Sequence, residues 1–178
     1  MNQNRILETP RTYLRNICQD DFDEIAAILG NIEVMYAWEH AFTDEEIYDW
    51  IKENRLRYSR DGYSYWAVVL KDTGRIIGVS GIFKEDADGQ EYIGIGYIFH
   101  KAFWHQGFAF ECAAACKNYA FHMLHIPFLT AQIRPDNPSS IRIAERLGMS
   151  AVKRFVRTCR GKPVSHILYR CQNNSLHD

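Results

Sequence analysis

The clearest pattern in the chain is an alternation of apolar residues that changes abruptly into a helical spacing. Ile93, Ile95, Tyr97 and Phe99 alternate with other residues, which is the period of a β-strand with one strongly apolar face. After residues 100–107, apolar and small residues recur every three or four positions, as on one side of a helix. The residues with this spacing are Cys112, Ala113, Cys116, Ala120 and Met123. The pattern predicts a strand, a glycine-bearing loop and a helix in direct succession.

A second segment of the same kind occupies residues 126–149. A short apolar strand is followed by Asn137, a good N-cap residue, and by Pro138, which suits the first helical position. Gly148 suits the left-handed residue that follows a last helical turn. Two strand-loop-helix units therefore lie side by side in the sequence.

The remaining patterns predict two more helices and several strands. Residues 20–29 have a helical apolar face, and Thr43 with Glu46 forms a capping box that opens a helix to about residue 58. Residues 84–90 look like a polar turn. Further strands are expected at 11–17, 64–71, 75–83, 152–159 and 164–171. We therefore expect a mixed α+β architecture, with a mostly antiparallel sheet flanked by helices.

Composition narrows the class of protein. The 178 residues, 47% of them hydrophobic, suit one domain spanning 1–178 with a core at about 9–172. A formal net charge of −1 without a block of Lys or Arg argues against a nucleic-acid partner. Residues 1–9 have no signal-like apolar run, and no stretch reaches membrane-spanning length, so we expect a cytoplasmic protein without a membrane partner.

The five cysteines do not suggest a disulfide framework or a metal site. They are odd in number and scattered along the chain, at positions 18, 112, 116, 159 and 171. Cys112 and Cys116 share a helix face and are interpreted as small core residues. No Cys or His cluster has the spacing of zinc ligands, so no metal is predicted.

The loop at residues 100–107 gives the first hypothesis about the chemistry of the protein. It ends at a helix N-terminus, where unpaired N–H groups and a partial positive charge can hold an anion. Gly107 and Ala109 carry little side chain that could block a ligand. A phosphate or pyrophosphate group could bind there.

Two motifs carry a family resemblance. The run from Trp104 to Ala109, with Glu111, and the run from Asn137 to Met149 resemble the pyrophosphate loop and the second signature of the GNAT acetyltransferase superfamily. More narrowly, they resemble its Rim-type branch, which is related to ribosomal-protein N-terminal acetyltransferases. Residues 9–15 are also similar to the opening strand of that branch. The resemblance implies the GNAT fold, acetyl-CoA as cosubstrate and transfer of an acetyl group to an amine.

The resemblance also implies which residues bind acetyl-CoA. Main-chain groups of Ile98, Phe99 and His100 would bind the pantetheine arm and the thioester oxygen. The pyrophosphate would lie against His105, Gln106, Gly107, Phe108 and Ala109. Asn137 and Ser140 would lie beside the pantetheine and the thiol and are the candidate catalytic side chains. Asn137 could instead be only an N-cap, and Ser140 a first-turn serine without a role.

The chain departs from the family pattern at two catalytic positions. The tyrosine that many members use as general acid is replaced by Ala144, and Gly94 replaces a glutamate often found in the central strand. The general base is therefore unassigned, with a water chain or one of four side chains as candidates. These four are Glu85, Glu91, His100 and His166. Arg142, Glu145 and Arg146 are interpreted as charge pairs on a helix surface rather than as catalytic residues.

The acceptor side is expected in the aromatic connection 31–42. By resemblance, Met35, Tyr36, Trp38 and His40 would form one wall of the acceptor cleft, although Trp38 and Phe42 could simply pack onto the sheet. Acidic residues at 39, 44, 45, 46 and 49 would favour a cationic acceptor; the alternative is that they are ordinary helix-start charges.

The resulting hypothesis is an acetyl-CoA-dependent N-acetyltransferase that works by direct transfer in a ternary complex. The acceptor could be a protein N-terminus, a polyamine or an aminoglycoside-like amine, and the protein could be a monomer or a homodimer. An alternative is a non-catalytic acyl-CoA-binding sensor with the same fold. A nucleotide-binding domain is disfavoured, because Gly94 and Gly96 lie inside a strand.

Overall fold

The computed structural model describes residues 5–174, which fold around one twisted sheet. Within these residues the sheet has eight strands in the order β1-β2-β3-β4-β5-β6-β8-β7, with four α-helices around it. The strands are β1 Arg5–Glu8, β2 Thr12–Asn16, β3 Tyr65–Leu70, β4 Ile76–Ala87, β5 Gln90–Phe99, β6 Phe128–Ile133, β7 Ser150–Cys159 and β8 Lys162–Gln172. The helices are α1 Phe22–Leu29, α2 Asp44–Asp61, α3 Phe108–His122 and α4 Pro138–Arg146. The predicted α+β class with a mostly antiparallel sheet is confirmed.

Alternate residues of the central strands bury against different helices. Trp66 and Val68 belong to the core on the side of α3 and α4, whereas Ala67 and Val69 belong to the core on the side of α1 and α2. This follows from the two-residue period of a strand. The sheet is therefore covered on both faces, which accounts for the long apolar runs in its strands.

Local signals set the ends of the helices where the sequence predicts them. The Thr43 hydroxyl accepts from the Glu46 N–H, and the Glu46 carboxylate accepts from the Thr43 N–H at 2.8 Å, which completes the capping box. Asn137 caps α4, with Pro138 in its first turn. Gly148 follows α4 with a φ of 79°, in the left-handed region.

Two predicted details are wrong, and one strand was not predicted. The turn expected at 84–90 consists of Asp88 and Gly89 alone, because both adopt positive φ and let β4 and β5 continue to the Ala87–Gln90 pair. Strand β1 precedes the first predicted strand and is too short and polar to give a periodic signal. Met123 is 67% exposed, since α3 ends at His122 before reaching the core again.

The cysteines of the described residues are all free thiols. Cys112 and Cys116 are fully buried where α3 meets the sheet, and burial raises the pKa of Cys112 to about 12. Residues 5–174 contain no group of three or more His, Cys, Asp or Glu side chains able to hold a metal ion. In the same range, no helix combines the length and apolar composition needed to cross a membrane.

Candidate functional site

The central feature of the site is the place where β5 and β6 part. They are the one parallel pair among the described strands, and their ladder contains a single residue pair, Gly94 with Thr130. Beyond it, β5 pairs with β4 and β6 pairs with β8, but not with each other. Beyond Gly94 the edge of β5 that faces β6 therefore has no strand partner, although the Gly96 and Phe99 carbonyls accept from the Ser80 hydroxyl and the Trp104 indole N–H.

Two cavities meet at this opening. The smaller, of about 370 Å³, lies between β5, α3 and α4, and the larger, of about 920 Å³, lies between the 36–42 segment, the sheet and the β7–β8 hairpin. Both are lined by the same five residues, which therefore form their junction. These are Ala37, Trp38, Tyr97, Asn137 and Ser140.

The loop at the start of α3 is shaped by two left-handed residues. His105 has a φ of 59° and Gly107, the N-cap of α3, a φ of 84°. The Trp104 indole N–H donates to the Phe99 carbonyl at 2.8 Å and fixes the loop to the end of β5. This geometry presents the first N–H groups of a fifteen-residue helix to the smaller cavity.

Arg11 holds the same loop from the outside. Its guanidinium donates to the Gln106 carbonyl at 3.0 Å and to the Glu111 carboxylate at 2.8 Å, and lies 3.8 Å from the centre of the Phe108 ring. Arg11 lies in the segment 9–15 that resembles the opening strand of the Rim-type branch. Local patterns could not predict that the Arg11 side chain contacts Gln106, 95 residues later.

Asn137 links the 36–42 segment to α4. Its Oδ1 accepts from the Ser140 N–H at 3.1 Å and from the Tyr36 hydroxyl at 2.7 Å, and the residue is only 8% exposed. The Tyr97 hydroxyl donates to the Ser140 carbonyl at 3.3 Å. Asn137 is thus both the predicted N-cap and a bridge at the junction of the cavities.

Comparison with known proteins decides the family. The model of the acetyltransferase (GNAT) domain matches residues 11–150. The chain belongs to the GNAT acetyltransferase family. It is 32% identical over 152 residues to the uncharacterised protein YkkB of Bacillus subtilis (strain 168), a match that covers 84% of this chain and 87% of that protein.

Solved structures share the GNAT fold at lower identity. A GNAT-family acetyltransferase from Bacillus anthracis aligns with a TM-score of 0.80 and 21% identity, covering 94% of this chain and 98% of that one. RimL, a ribosomal L7/L12 alpha-N-protein acetyltransferase in complex with coenzyme A, aligns with a TM-score of 0.77 and 16% identity, covering 95% and 98%. Membership of the family makes this protein an acyltransferase.

Most of the residues expected to bind acetyl-CoA in this GNAT protein line the smaller cavity. They are Ile98, Phe99, His105, Gly107, Phe108, Ala109, Asn137 and Ser140. His100 and Gln106 do not line it. The His100 Nδ1 accepts from the Ala102 N–H, and the Gln106 amide donates to the Ala102 carbonyl, so both side chains stabilise the turn before the loop.

Three of the four predicted acceptor residues line the two cavities. Tyr36 and Trp38 line the smaller cavity, while Trp38 and His40 line the larger one. Met35 lines neither, because it is fully buried in the core beneath α1 and α2. Phe42 packs against that core and also reaches the larger cavity, whereas Trp38 is 46% exposed.

Arg142 and Arg146 are exposed on the surface of α4, as expected, but the expected charge pairing is absent among the described residues. Arg142 and Arg146 line the smaller cavity and form no ion pair with any residue in 5–174, and Arg146 stacks on the Phe110 ring at 3.8 Å. Arg142 and Arg146 follow Pro138, the first residue of α4, by four and eight positions, so all three lie on one face of the helix. This spacing was the signal in the sequence that could have placed the two arginines beside the site. They leave two positive charges facing the cavity rather than a helix-surface charge pair with Glu145.

Of the four candidate bases, Glu85 and His166 line the larger cavity. Burial raises the pKa of Glu85 to about 7, against the opposing effects of Arg157 and of hydrogen bonds from Gln132 and Thr130. Burial lowers the pKa of His166, whose Nδ1 lies 3.1 Å from the Val164 carbonyl. Glu91 is on the outer surface beside Lys84, and His100 caps its turn.

Replacement of Asn137 by alanine is expected to lower the free energy of unfolding by about 1 kcal/mol, because the first turn of α4 loses its cap. The Tyr36 hydroxyl also loses its acceptor. Urea unfolding of the purified protein measures the change. Asn137→Asp is the matched variant, since it keeps an oxygen for both donors, and equal stability of the two variants would contradict the capping role.

Proposed function

We propose that this protein transfers the acetyl group of acetyl-CoA to a primary amine by direct transfer, with both substrates bound at once. The observation that carries the proposal is the pair of cavities that meet at Tyr97, Asn137 and Ser140. Two ligands bound from opposite sides would bring their reacting atoms together there, which a ternary complex requires.

The smaller cavity has the chemistry of a coenzyme A site. The N-terminal N–H groups of α3 at Gly107 suit the pyrophosphate, and the Arg142 and Arg146 guanidiniums suit further phosphate. Ile98, Phe103 and Ile143 supply apolar walls for the pantetheine arm. The unpaired edge of β5 would hydrogen-bond that arm and polarise the thioester carbonyl.

Ser140 is proposed to assist departure of the thiolate. It lines both cavities in the first turn of α4, where the helix dipole favours a developing negative charge. Asn137 would hold that turn and the Tyr36 ring in place. With Ala144 buried in the core, no tyrosine is present at the usual position of the general acid.

The larger cavity is proposed to bind the acceptor, with a protein N-terminus favoured over a polyamine, as in the Rim-type branch. Among its described lining residues, Arg and Lys outnumber Asp and Glu. Glu39 is paired with Arg134, and Glu46 with His40 and Arg160, so neither is free to attract a cation. Of the acidic residues expected to do so, those at 44, 45 and 49 do not line the cavity.

Acetyl-CoA is expected to stabilise the protein by roughly 2.7 kcal/mol at a hundredfold its dissociation constant, as any ligand specific for the folded state would. Thermal melting with and without acetyl-CoA measures this effect. In the same preparation, thiol release from acetyl-CoA and the mass of the acetylated product are measured with three classes of acceptor: N-terminal peptides, polyamines and aminoglycosides.

Release that depends on the acceptor would support the proposal and identify the class of amine. Stabilisation without release from any acceptor favours the non-catalytic sensor, for which Gly94 and Ala144 at two usual catalytic positions are the specific observations. Absence of stabilisation at saturating acetyl-CoA would refute both.

A further inference from the structure

Among the carboxylates that line the larger cavity, Glu85 is the half-buried one that has no ion pair within residues 5–174. Glu85 lies near the end of β4 and forms no ion pair with any residue of the described chain. The Thr130 hydroxyl on β6 donates to the Glu85 carboxylate at 3.4 Å, and the neighbouring Gln132 amide donates to the Asp86 carbonyl at 2.8 Å. Glu85 is half-buried, and even partial removal of an unpaired carboxylate from water is costly, so its presence in the wall of a substrate cavity points to a function.

The position of this carboxylate is set by a glycine on the neighbouring strand. A Cβ atom added to Gly94 would collide with the Glu85 side chain, at its Oε1 and Cδ atoms. The Glu85 carboxylate therefore occupies the space beside β5 that a side chain at position 94 would need. This is the point at which β5 pairs with Thr130 before the two strands part.

We propose that Glu85 is the general base that takes a proton from the acceptor amine. The inference rests on the proposed acetyl transfer. It assigns to β4 a role that the family usually assigns to a glutamate of β5, at the position that is Gly94 here. Gly96 and Tyr97 line the same cavity, and they follow Gly94 by at most about 10 Å along the strand. The amine and a chain of two water molecules, with links of about 2.8 Å each, can span this distance.

The proton and electron balance of the step is complete. An acceptor ammonium group gives one proton to the Glu85 carboxylate and becomes a neutral amine. The nitrogen lone pair then attacks the thioester carbonyl carbon, a C–N bond forms and the C–S bond breaks. The second nitrogen proton reaches the departing thiolate, and Glu85 releases its proton to solvent.

The electrostatic surroundings suit a base that works near neutral pH. The groups facing Glu85 are Tyr65 from β3, Thr130 and Gln132 from β6 and, at longer range, Arg157 from β7. Of these groups only Arg157 is charged; on the outer side, Glu85 also lines a groove with the charged residues Arg60, Asp61, Lys84, Asp86 and Glu91. Burial raises the pKa of Glu85 to about 7 because these partners do not fully replace water. The other carboxylates of the cavity are engaged: Glu39 and Glu46 in ion pairs, and Asp86 with the Gly89 N–H.

The test compares Glu85→Gln with the wild-type protein in acceptor-dependent thiol release between pH 6 and about 9. We expect kcat/KM to fall roughly 100-fold near pH 7, a typical contribution of a general base. The deficit should shrink as pH rises, because more of the amine then arrives already neutral. The Kd for acetyl-CoA should not change, and Tm above pH 7 should stay equal or rise, since a buried charge is removed.

Three further variants sharpen the test. Glu91→Gln, at an exposed carboxylate on β5, is the control and should keep full activity. His166→Asn removes the other titratable candidate from the same cavity and should cost less than tenfold. The double variant E85A/G94E moves the carboxylate to β5 in the space that Glu85 vacates, and recovery of activity over Glu85→Ala alone would support the assignment.

The possible outcomes separate the two proposals. If Glu85→Gln keeps kcat/KM within threefold, if its deficit is the same at every pH, or if His166→Asn loses activity instead, Glu85 is not the base and the acetyl transfer stands. If the wild-type protein releases no thiol with any acceptor, the proposed function fails and this role fails with it.

Discussion

Replacement of Gly107 by valine is expected to weaken acetyl-CoA binding about 100-fold, a loss of roughly 2.7 kcal/mol. Gly107 is the N-cap of α3 with a φ of 84°, a conformation that a β-branched residue adopts only with strain. Relief of that strain would turn the first N–H groups of α3 away from the smaller cavity. The added side chain would also lie where the proposed pyrophosphate approaches the backbone.

Gly62→Val is the matched control for this experiment. Gly62 ends α2 with a φ of 86°, nearly the same as that of Gly107, and nothing lies within 4 Å of a Cβ added there. Both variants should therefore lose similar stability in urea unfolding. Isothermal titration calorimetry with acetyl-CoA should show weaker binding for Gly107→Val only. Equal acetyl-CoA affinities of the two variants would show that the loop at Gly107 does not bind the cofactor.

Replacement of Asp21 by asparagine is expected to lower the free energy of unfolding by about 3–5 kcal/mol, the usual cost of breaking a buried ion pair from one side. Both Asp21 oxygens accept from the Arg15 guanidinium at 2.8 Å, and Oδ2 also accepts from the Cys18 N–H. The Arg15 and Asp21 side chains are 8% and 6% exposed. In the variant, the Arg15 charge would remain buried without its counterion.

The same pair predicts how stability depends on pH. Burial alone raises the pKa of Asp21, but the hydrogen bonds from Arg15 and Cys18 outweigh it and hold the pKa below its usual range. A carboxyl whose pKa is lowered by folding contributes stability above its unfolded pKa, about 3.9, and loses it as pH falls further. The difference between wild type and Asp21→Asn should therefore be full at pH 6 and shrink below about pH 4.

Urea unfolding at a series of pH values measures both effects. The control is Glu8→Gln, which alters two solvent-exposed ion pairs, with Arg5 and with Lys71, at a carboxylate that is half exposed. Its stability should be nearly unchanged, because solvent screens such pairs. A loss in Asp21→Asn no larger than that in Glu8→Gln would contradict the role of the buried pair.

Local sequence determined the helices and the loop of the site. Thr43 with Glu46, Asn137 with Pro138, and Gly148 each act within a few residues, through hydrogen bonds and allowed φ values that do not depend on the rest of the chain. The two motifs that resemble the GNAT family are also short segments that can be recognised from the local sequence, and the family model confirms that resemblance. The turn predicted at 84–90 is likewise set locally, but it is confined to Asp88 and Gly89, whose Asp-Gly signal was present in the sequence.

Only the tertiary structure decided which side chains share the site. Met35 and Tyr36 are neighbours in sequence, yet one is fully buried in the core and the other hydrogen-bonds Asn137 across 101 positions. The Glu85 carboxylate lies over Gly94 because the register of β4 and β5 sets Phe83 opposite Gly94. Strand register and helix packing result from the summed burial of the whole core, which no short stretch of sequence encodes.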